Sequence, residues 1–195
     1  LFQPLPQAEC REQLGLDPRR VWLGFSSTWA STRKGTDIFR DALAQLDVSQ
    51  LGVLCWGEKP THPWPRGLEV RLRGSIGPEE ISRHYSACDL FVCPSRADNL
   101  PNSVLESLAC GVPVIGSERG GVPDMARPGT TGWLFDPDSD TACADAIRKA
   151  LKDRANWPAM AKAGRQIATE EFSIARQASS YRNLFAELRS RRPSL

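Results

Sequence analysis

The chain predicts a doubly wound α/β domain, a parallel sheet of about six strands covered by helices on both faces. Three observations carry this. Short continuous apolar runs such as Leu51–Trp56 (LGVLCW) and Leu90–Cys93 (LFVC) are what strands buried on both faces look like. Segments with helical spacing lie between them. Gly-, Pro- and Ser-containing stretches close the strands and open the helices. In such a sheet the ligand crevice lies at the carboxyl ends of the strands.

In order, Val21–Ser26 is the first strand, and a polar loop from Ser27 to Gly35 follows it. Ile38, Phe39, Ala42, Leu43 and Leu46 then form a helical stripe. Leu51–Trp56 is the second strand. His62-Pro63-Trp64-Pro65 excludes regular structure, and Leu68–Leu72 is a short third strand. Pro78 stands at a helix start, before Ile81, His84, Tyr85 and Cys88 at helical spacing. Leu90–Cys93 is the fourth strand. A helix from Asn102 to Cys110 stops at Gly111. Val114–Gly116 and Gly132–Phe135 are the fifth and sixth strands. Cys143, Ala146, Ile147, Ala150 and Leu151 mark the next helix, and two more follow, over 158–171 and 174–190. In the last, Ile174, Ala178, Tyr181, Phe185 and Leu188 are expected to face inward.

Composition narrows the function. The 195 residues are 41% hydrophobic and 25% charged, values of an ordinary globular domain. A net charge of +2 without a basic, aromatic-interleaved stripe argues against a nucleic-acid partner. Arg189, Arg191 and Arg192 read as a solvated helix end favoured by the dipole. No run reaches membrane-helix length and no signal-peptide pattern is present. The six cysteines have no C-x-x-C spacing and read as reduced, mostly buried thiols of a cytosolic protein, neither disulfides nor a zinc site. Asp136-Pro137-Asp138 reads as a turn, and isolated His84 as packing.

The chemistry concentrates in two loops. Arg33-Lys34-Gly35 sets two cations beside a helix start, where unpaired N–H groups and the dipole favour a diphosphate; a surface basic pair with a Gly hinge reads equally well. In Leu90–Gly121, Asp98 and Glu106 flank a loop-to-helix join. Asp98 suits a turn, and Ser103-x-x-Glu106 has capping-box spacing.

Taken together, these motifs resemble the C-terminal, Rossmann-like half of the retaining GT-B glycosyltransferases of family 4. Asp98-x7-Glu106 is similar to that family's E-x7-E motif. Pro94-Ser95, Asn99-Leu100-Pro101-Asn102, Ala109-Cys110-Gly111-x-Pro113-Val114-Ile115, Gly120-Gly121-Val122-Pro123-Asp124, Arg33-Lys34-Gly35 and Gly132-Trp133-Leu134 resemble it too, covering most of residues 21–140. Asp98 departs from the motif, one methylene shorter than Glu.

The resemblance implies that Lys34 grips the donor pyrophosphate. Arg33 would stand in for a family arginine whose place is filled by Ser26-Ser27. Glu106 would accept from the ribose hydroxyls and Asp98 would orient the sugar, so Asp98, Lys34 and Glu106 form the implied catalytic set. Asn99 and Leu100 would bring backbone close to sugar and phosphate, while Asn102, Ser103 and Val104 would offer helix-start amides. Arg73, Ser75 and Ile76 would approach the base, and Gly120-Gly121 would turn beside the crevice. No metal or cofactor is implied beyond the nucleotide-sugar substrate, UDP- or GDP-linked.

The opening Leu1-Phe2-Gln3-Pro4 resembles the entry to the second half of a family enzyme, so residues 1–195 are expected to be the donor domain, 173–195 its terminal helix, with the N-terminal acceptor domain absent. That half would be the partner, and any peripheral membrane contact would fall to it. The implied setting is the cytoplasm or the cytoplasmic face of a bacterial inner membrane, in surface polysaccharide or lipopolysaccharide synthesis. Two rivals share the pattern: half of a non-hydrolysing sugar-nucleotide epimerase, and a non-catalytic nucleotide-sugar-sensing module.

Overall fold

The computed structural model describes residues 1–27, 32–57 and 63–190. Residues 28–31 of the first polar loop, His62, and Arg191 and Arg192 of the terminal basic cluster lie outside them. The sheet is wholly parallel, in the order β3-β2-β1-β4-β5-β6. Its strands are β1 Val21–Ser27, β2 Leu51–Gly57, β3 Glu69–Leu72, β4 Leu90–Cys93, β5 Val114–Ser117 and β6 Gly132–Phe135. All six stand where the apolar runs place them, within a residue or so at each end.

Pleating divides the core. Leu23, Phe25, Val53, Val92, Ile115 and Trp133 point to one face, and Trp22, Leu54, Trp56, Phe91 and Val114 to the other. The first face is covered by α2 (Thr36–Ala44) and α6 (Ala142–Lys152). The second is covered by α1 (Gln7–Leu14), α3 (Ile81–Ala87), α4 (Asn102–Ala109) and the short α5 (Val122–Met125). Helix α7 (Trp157–Glu170) packs along α4, contributing Met160 to the first face and Ala168 to the second. The sequence pattern does not announce α1, which has no apolar stripe, or the single turn of α5. All six cysteines are buried and unbridged.

The last helix, α8 (Ile174–Ser190), corrects an expectation. Its apolar stripe faces out: Ile174 is 84% exposed, Phe185 59% and Leu188 53%, and Ala178 and Tyr181 are exposed as well. Amphipathic spacing reports an apolar face, not that the covering surface belongs to the same chain.

Strand order reverses between β1 and β4, which pair only at Leu23–Leu90 and Gly24–Phe91. The loops at their carboxyl ends leave from this switch point, the position where such sheets bind ligands.

Candidate functional site

The loops after β1, β4 and β5 are stitched into one surface. After β1, a 3-10 turn (Thr32–Lys34) ends at Gly35, whose φ of 69° is open to glycine at little cost. A Cβ on Gly35 would stand 1.9 Å from the Pro94 carbonyl oxygen, so glycine alone lets this loop lie on the one after β4. The Arg96 amide donates to the Arg33 carbonyl at 2.8 Å. The Arg96 guanidinium forks onto Asp37 at 2.8 and 2.7 Å and reaches the Thr32 carbonyl at 2.7 Å. This fork holds the Asp37 carboxyl below its ordinary pKa. From the β5 side, Ser117 Oγ donates to the Ser95 carbonyl at 2.5 Å, and the Gly121 amide to the Asp98 carbonyl at 3.0 Å. Cβ atoms on Gly120 and Gly121 would fall 1.8 and 2.0 Å from the carbonyl oxygens of Asp98 and Asn99. The Gly-Gly turn is therefore the seat of the loop that carries Asp98.

At the centre, Lys34 Nζ donates to Asp98 Oδ2 at 2.8 Å, with the two side chains 17% and 15% exposed. Arg33 donates to the Ala97 carbonyl at 3.0 Å and its guanidinium stands 3.6 Å from the same carboxylate oxygen. Two loops far apart in sequence thus place two cations and one carboxylate at the switch point. The Cys93 thiol lies beneath, its pKa raised by burial.

Helix α4 starts differently from the capping-box spacing. Pro101 is the N-cap and Ser103 is already helical; no side chain caps the end. The Val104 amide, expected to be free, donates to the Pro101 carbonyl at 3.0 Å. The amides of Asn102 and Ser103 find no acceptor among the described residues and remain available to an anion. Glu106 does not turn back to cap the helix. Its Oε2 accepts from the Tyr85 hydroxyl of α3 at 2.8 Å, and burial raises its pKa.

The other expected residues are set apart. Arg73 donates a short hydrogen bond to the Leu14 carbonyl at the end of α1, a helix the sequence pattern does not announce. Ile76 packs against the second core cluster, and Ser75 is exposed. Leu100 is 44% exposed and borders, with Asn102, a groove of about 560 Å³ beneath Tyr181 and Leu184 of α8. Asp136 and Asp138 both hold Arg119, at 2.9 and 2.7 Å, in a turn closed by the Asp138 amide on Asp136. Among the described residues no group of three or more His, Cys, Asp or Glu could hold a metal ion. His84 is buried, with Nδ1 3.0 Å from the Glu80 carbonyl oxygen and its pKa lowered by burial. Sequence reasoning missed Tyr85 and Arg96. The signal for Tyr85 was a hydroxyl on an otherwise apolar helical face.

Comparison with known proteins gives the family and the fold. The family profile "Glycosyl transferases group 1" matches residues 20–153. The chain is 30% identical over 190 residues to the GDP-mannose-dependent alpha-(1-6)-phosphatidylinositol monomannoside mannosyltransferase of Mycobacterium tuberculosis, covering 88% of this chain and 49% of that protein. Sucrose-phosphate synthase from Thermosynechococcus elongatus superposes with a TM-score of 0.80 at 29% identity, covering 95% of this chain and 50% of that one. Anabaena HepE, solved in complex with UDP and glucose, shares the fold with a TM-score of 0.80 at 22% identity, over 95% and 54% of the two chains. This chain spans about half the length of each of the three. With the family profile matched over residues 20–153 and a parallel sheet whose strand order reverses between β1 and β4, the chain belongs to the group 1 glycosyl transferases and has the Rossmann-like architecture of a GT-B C-terminal domain.

Proposed function

We propose that this chain is the nucleotide-sugar-binding half of a retaining glycosyltransferase. The observation that carries the reading is the Lys34–Asp98 contact at the switch point, beside the two free amides that open α4. Lys34 and Arg33, with the Asn102 and Ser103 amides, supply the positive field a diphosphate needs, from groups already fixed in place. Glu106 accepts from the ribose hydroxyls. Asp98, released from Lys34 when the diphosphate takes that cation, turns to hydroxyls of the sugar. Gly120 and Gly121 let the backbone of Asp98 and Asn99 lie directly against the turn after β5, which fixes where that loop can sit.

In transfer, the bond between the anomeric carbon and the diphosphate oxygen breaks. The acceptor oxygen bonds to that carbon on the same face, and the acceptor proton passes to the departing diphosphate. Charge grows on that diphosphate as the bond lengthens, where Lys34 and Arg33 stabilise it. The acceptor site lies outside this chain, so the chain alone binds donor and transfers nothing efficiently. A surface glycan or glycolipid acceptor is consistent with the mycobacterial relative, and UDP or GDP with the named ligands of the relatives.

The test is calorimetric titration of the chain with UDP, GDP and ADP. Saturable binding of one, lost in both Lys34→Ala and Glu106→Ala, supports the reading. A folded protein that binds none of them, in this form and joined to its N-terminal half, overturns it.

A further inference from the structure

Among the described residues no cation reaches Glu106; its partner is a neutral hydroxyl. Tyr85 is fully buried, its ring edge-on to Trp56 of β2 (centroids 4.9 Å, planes at 84°) and to Phe91 of β4 (5.3 Å, 61°). Two strands therefore fix the ring, and its oxygen is held facing α4. A buried phenol needs an acceptor, and the one it has is Glu106 Oε2 at 2.8 Å. Burial, with the Glu106 charge behind it, keeps the phenol pKa well above its ordinary value, so the hydroxyl retains its proton and donates. Glu106 Oε1 has no partner among the described residues.

We infer that Tyr85 is a positioning residue for Glu106: it holds Oε2 so that Oε1 faces the ribose, and so sets the site's preference for ribonucleotide over deoxyribonucleotide donors. The inference rests on the donor-binding reading above. A free glutamate samples several rotamers, and ordering it on binding costs affinity; one already tethered gives up less. Tethering also concentrates recognition on one oxygen. A ligand lacking its ribose hydroxyl would cover Oε1 without pairing it, and an unpaired buried acceptor is costly.

Calorimetry of the chain with the nucleoside diphosphate it binds, and with that ligand's 2′-deoxy and 3′-deoxy forms, tests this. Wild type is expected to prefer the ribonucleotide over at least one deoxy form by about tenfold. Tyr85→Phe keeps the ring packing and removes the hydroxyl. It should weaken the ribonucleotide by about five- to tenfold and leave the deoxy forms nearly unchanged, so that the preference collapses. Glu106→Gln provides a second variant that retains an acceptor for Tyr85 while turning an amide NH2 to the ligand. It should melt near wild type and show the same collapse. Equal weakening of ribo and deoxy ligands by Tyr85→Phe, with the preference intact, assigns Tyr85 to packing and overturns the inference alone. So does an unaltered variant. A wild type that binds no nucleoside diphosphate overturns the donor reading and this inference with it.

Discussion

Asp89 and Asp98 flank β4 at its amino and carboxyl ends, and their side chains are equally screened, each 15% exposed. Asp89 accepts on Oδ2 from Arg11 and from the Trp22 amide, both at 2.7 Å, with Gln7 Nε2 at 3.5 Å from Oδ1. Arg11 is in turn held by the Ala87 carbonyl at 2.9 Å. Asp98 has its cations on Oδ2 alone, and Oδ1 has no partner among the described residues. Burial does not separate the two carboxylates; the difference lies in how many of their acceptor positions the protein itself fills, and Asp98 alone keeps one open.

The comparison breaks most sharply at Asp89. Asp89→Ala strands a buried guanidinium and a strand amide, and should cost about 3–5 kcal/mol, lowering the melting temperature by roughly 10 °C. Nucleotide affinity of the folded fraction should stay within about twofold. A melting curve like that of wild type would show that the two ends do not differ in this way.

At the other end the backbone matters more than the pair. Gly120→Ala drives a Cβ into the Asp98 carbonyl from a φ of 57°. We expect a cost of about 2–3 kcal/mol and at least tenfold weaker nucleotide binding, read by denaturant titration and calorimetry. Binding like that of wild type would separate the Gly-Gly turn from the site.

Asp98→Ala sharpens the contrast with Asp89. The pair it breaks is open on one side, so the stability cost should stay near 1 kcal/mol or below. Freed Lys34 should keep or improve the affinity for the bare nucleoside diphosphate, while any added affinity for the sugar-linked form is lost. Titrating both ligands decides it; parallel loss for the two would mean that Asp98 positions Lys34 and does not touch sugar.

The smallest expected effect is in pH. Burial raises the Glu106 carboxyl, against the opposing pull of the Tyr85 hydrogen bond. The folded state therefore binds this proton more tightly than the unfolded chain. Its contribution to stability is full below the unfolded pKa and is lost as pH rises through the folded one. Nucleotide affinity runs the opposite way, because the carboxylate accepts on both oxygens, from Tyr85 and from the ligand, whereas the protonated acid turns one of them into a hydroxyl donor, and it should fall as acid reaches the raised pKa. Glu106→Gln should flatten both slopes; slopes that persist belong to another group.

The strands were legible because a parallel strand buried on both faces needs an unbroken apolar run, which Leu51–Trp56 and Leu90–Cys93 supply. Lys34 and Asp98 were legible as loop residues at carboxyl ends, and the fold brings them together. Local spacing does not report tertiary partners. Ser103-x-x-Glu106 fits a capping box, but Pro101 takes the cap and Glu106 answers a hydroxyl on another helix. Arg73 turns to α1, which has no stripe to announce it. The stripe on α8 was read correctly as apolar and wrongly as covered. The partners of Glu106 and Arg73, and the exposure of the α8 stripe, depend on surfaces that neighbours in sequence do not encode.

The position of β1 in the middle of the sheet has a consequence in time. One edge pairs with β2 soon after synthesis, but the other waits for β4, which ends only at Cys93. At a ribosomal pace of about 5–20 residues per second, the Leu23–Gly24 edge stays open for on the order of seconds. During that interval a nascent chain presents an apolar strand edge to its neighbours on the same polysome. Yield of this domain should therefore depend on translation speed and chaperone supply before it depends on the stability of the finished fold.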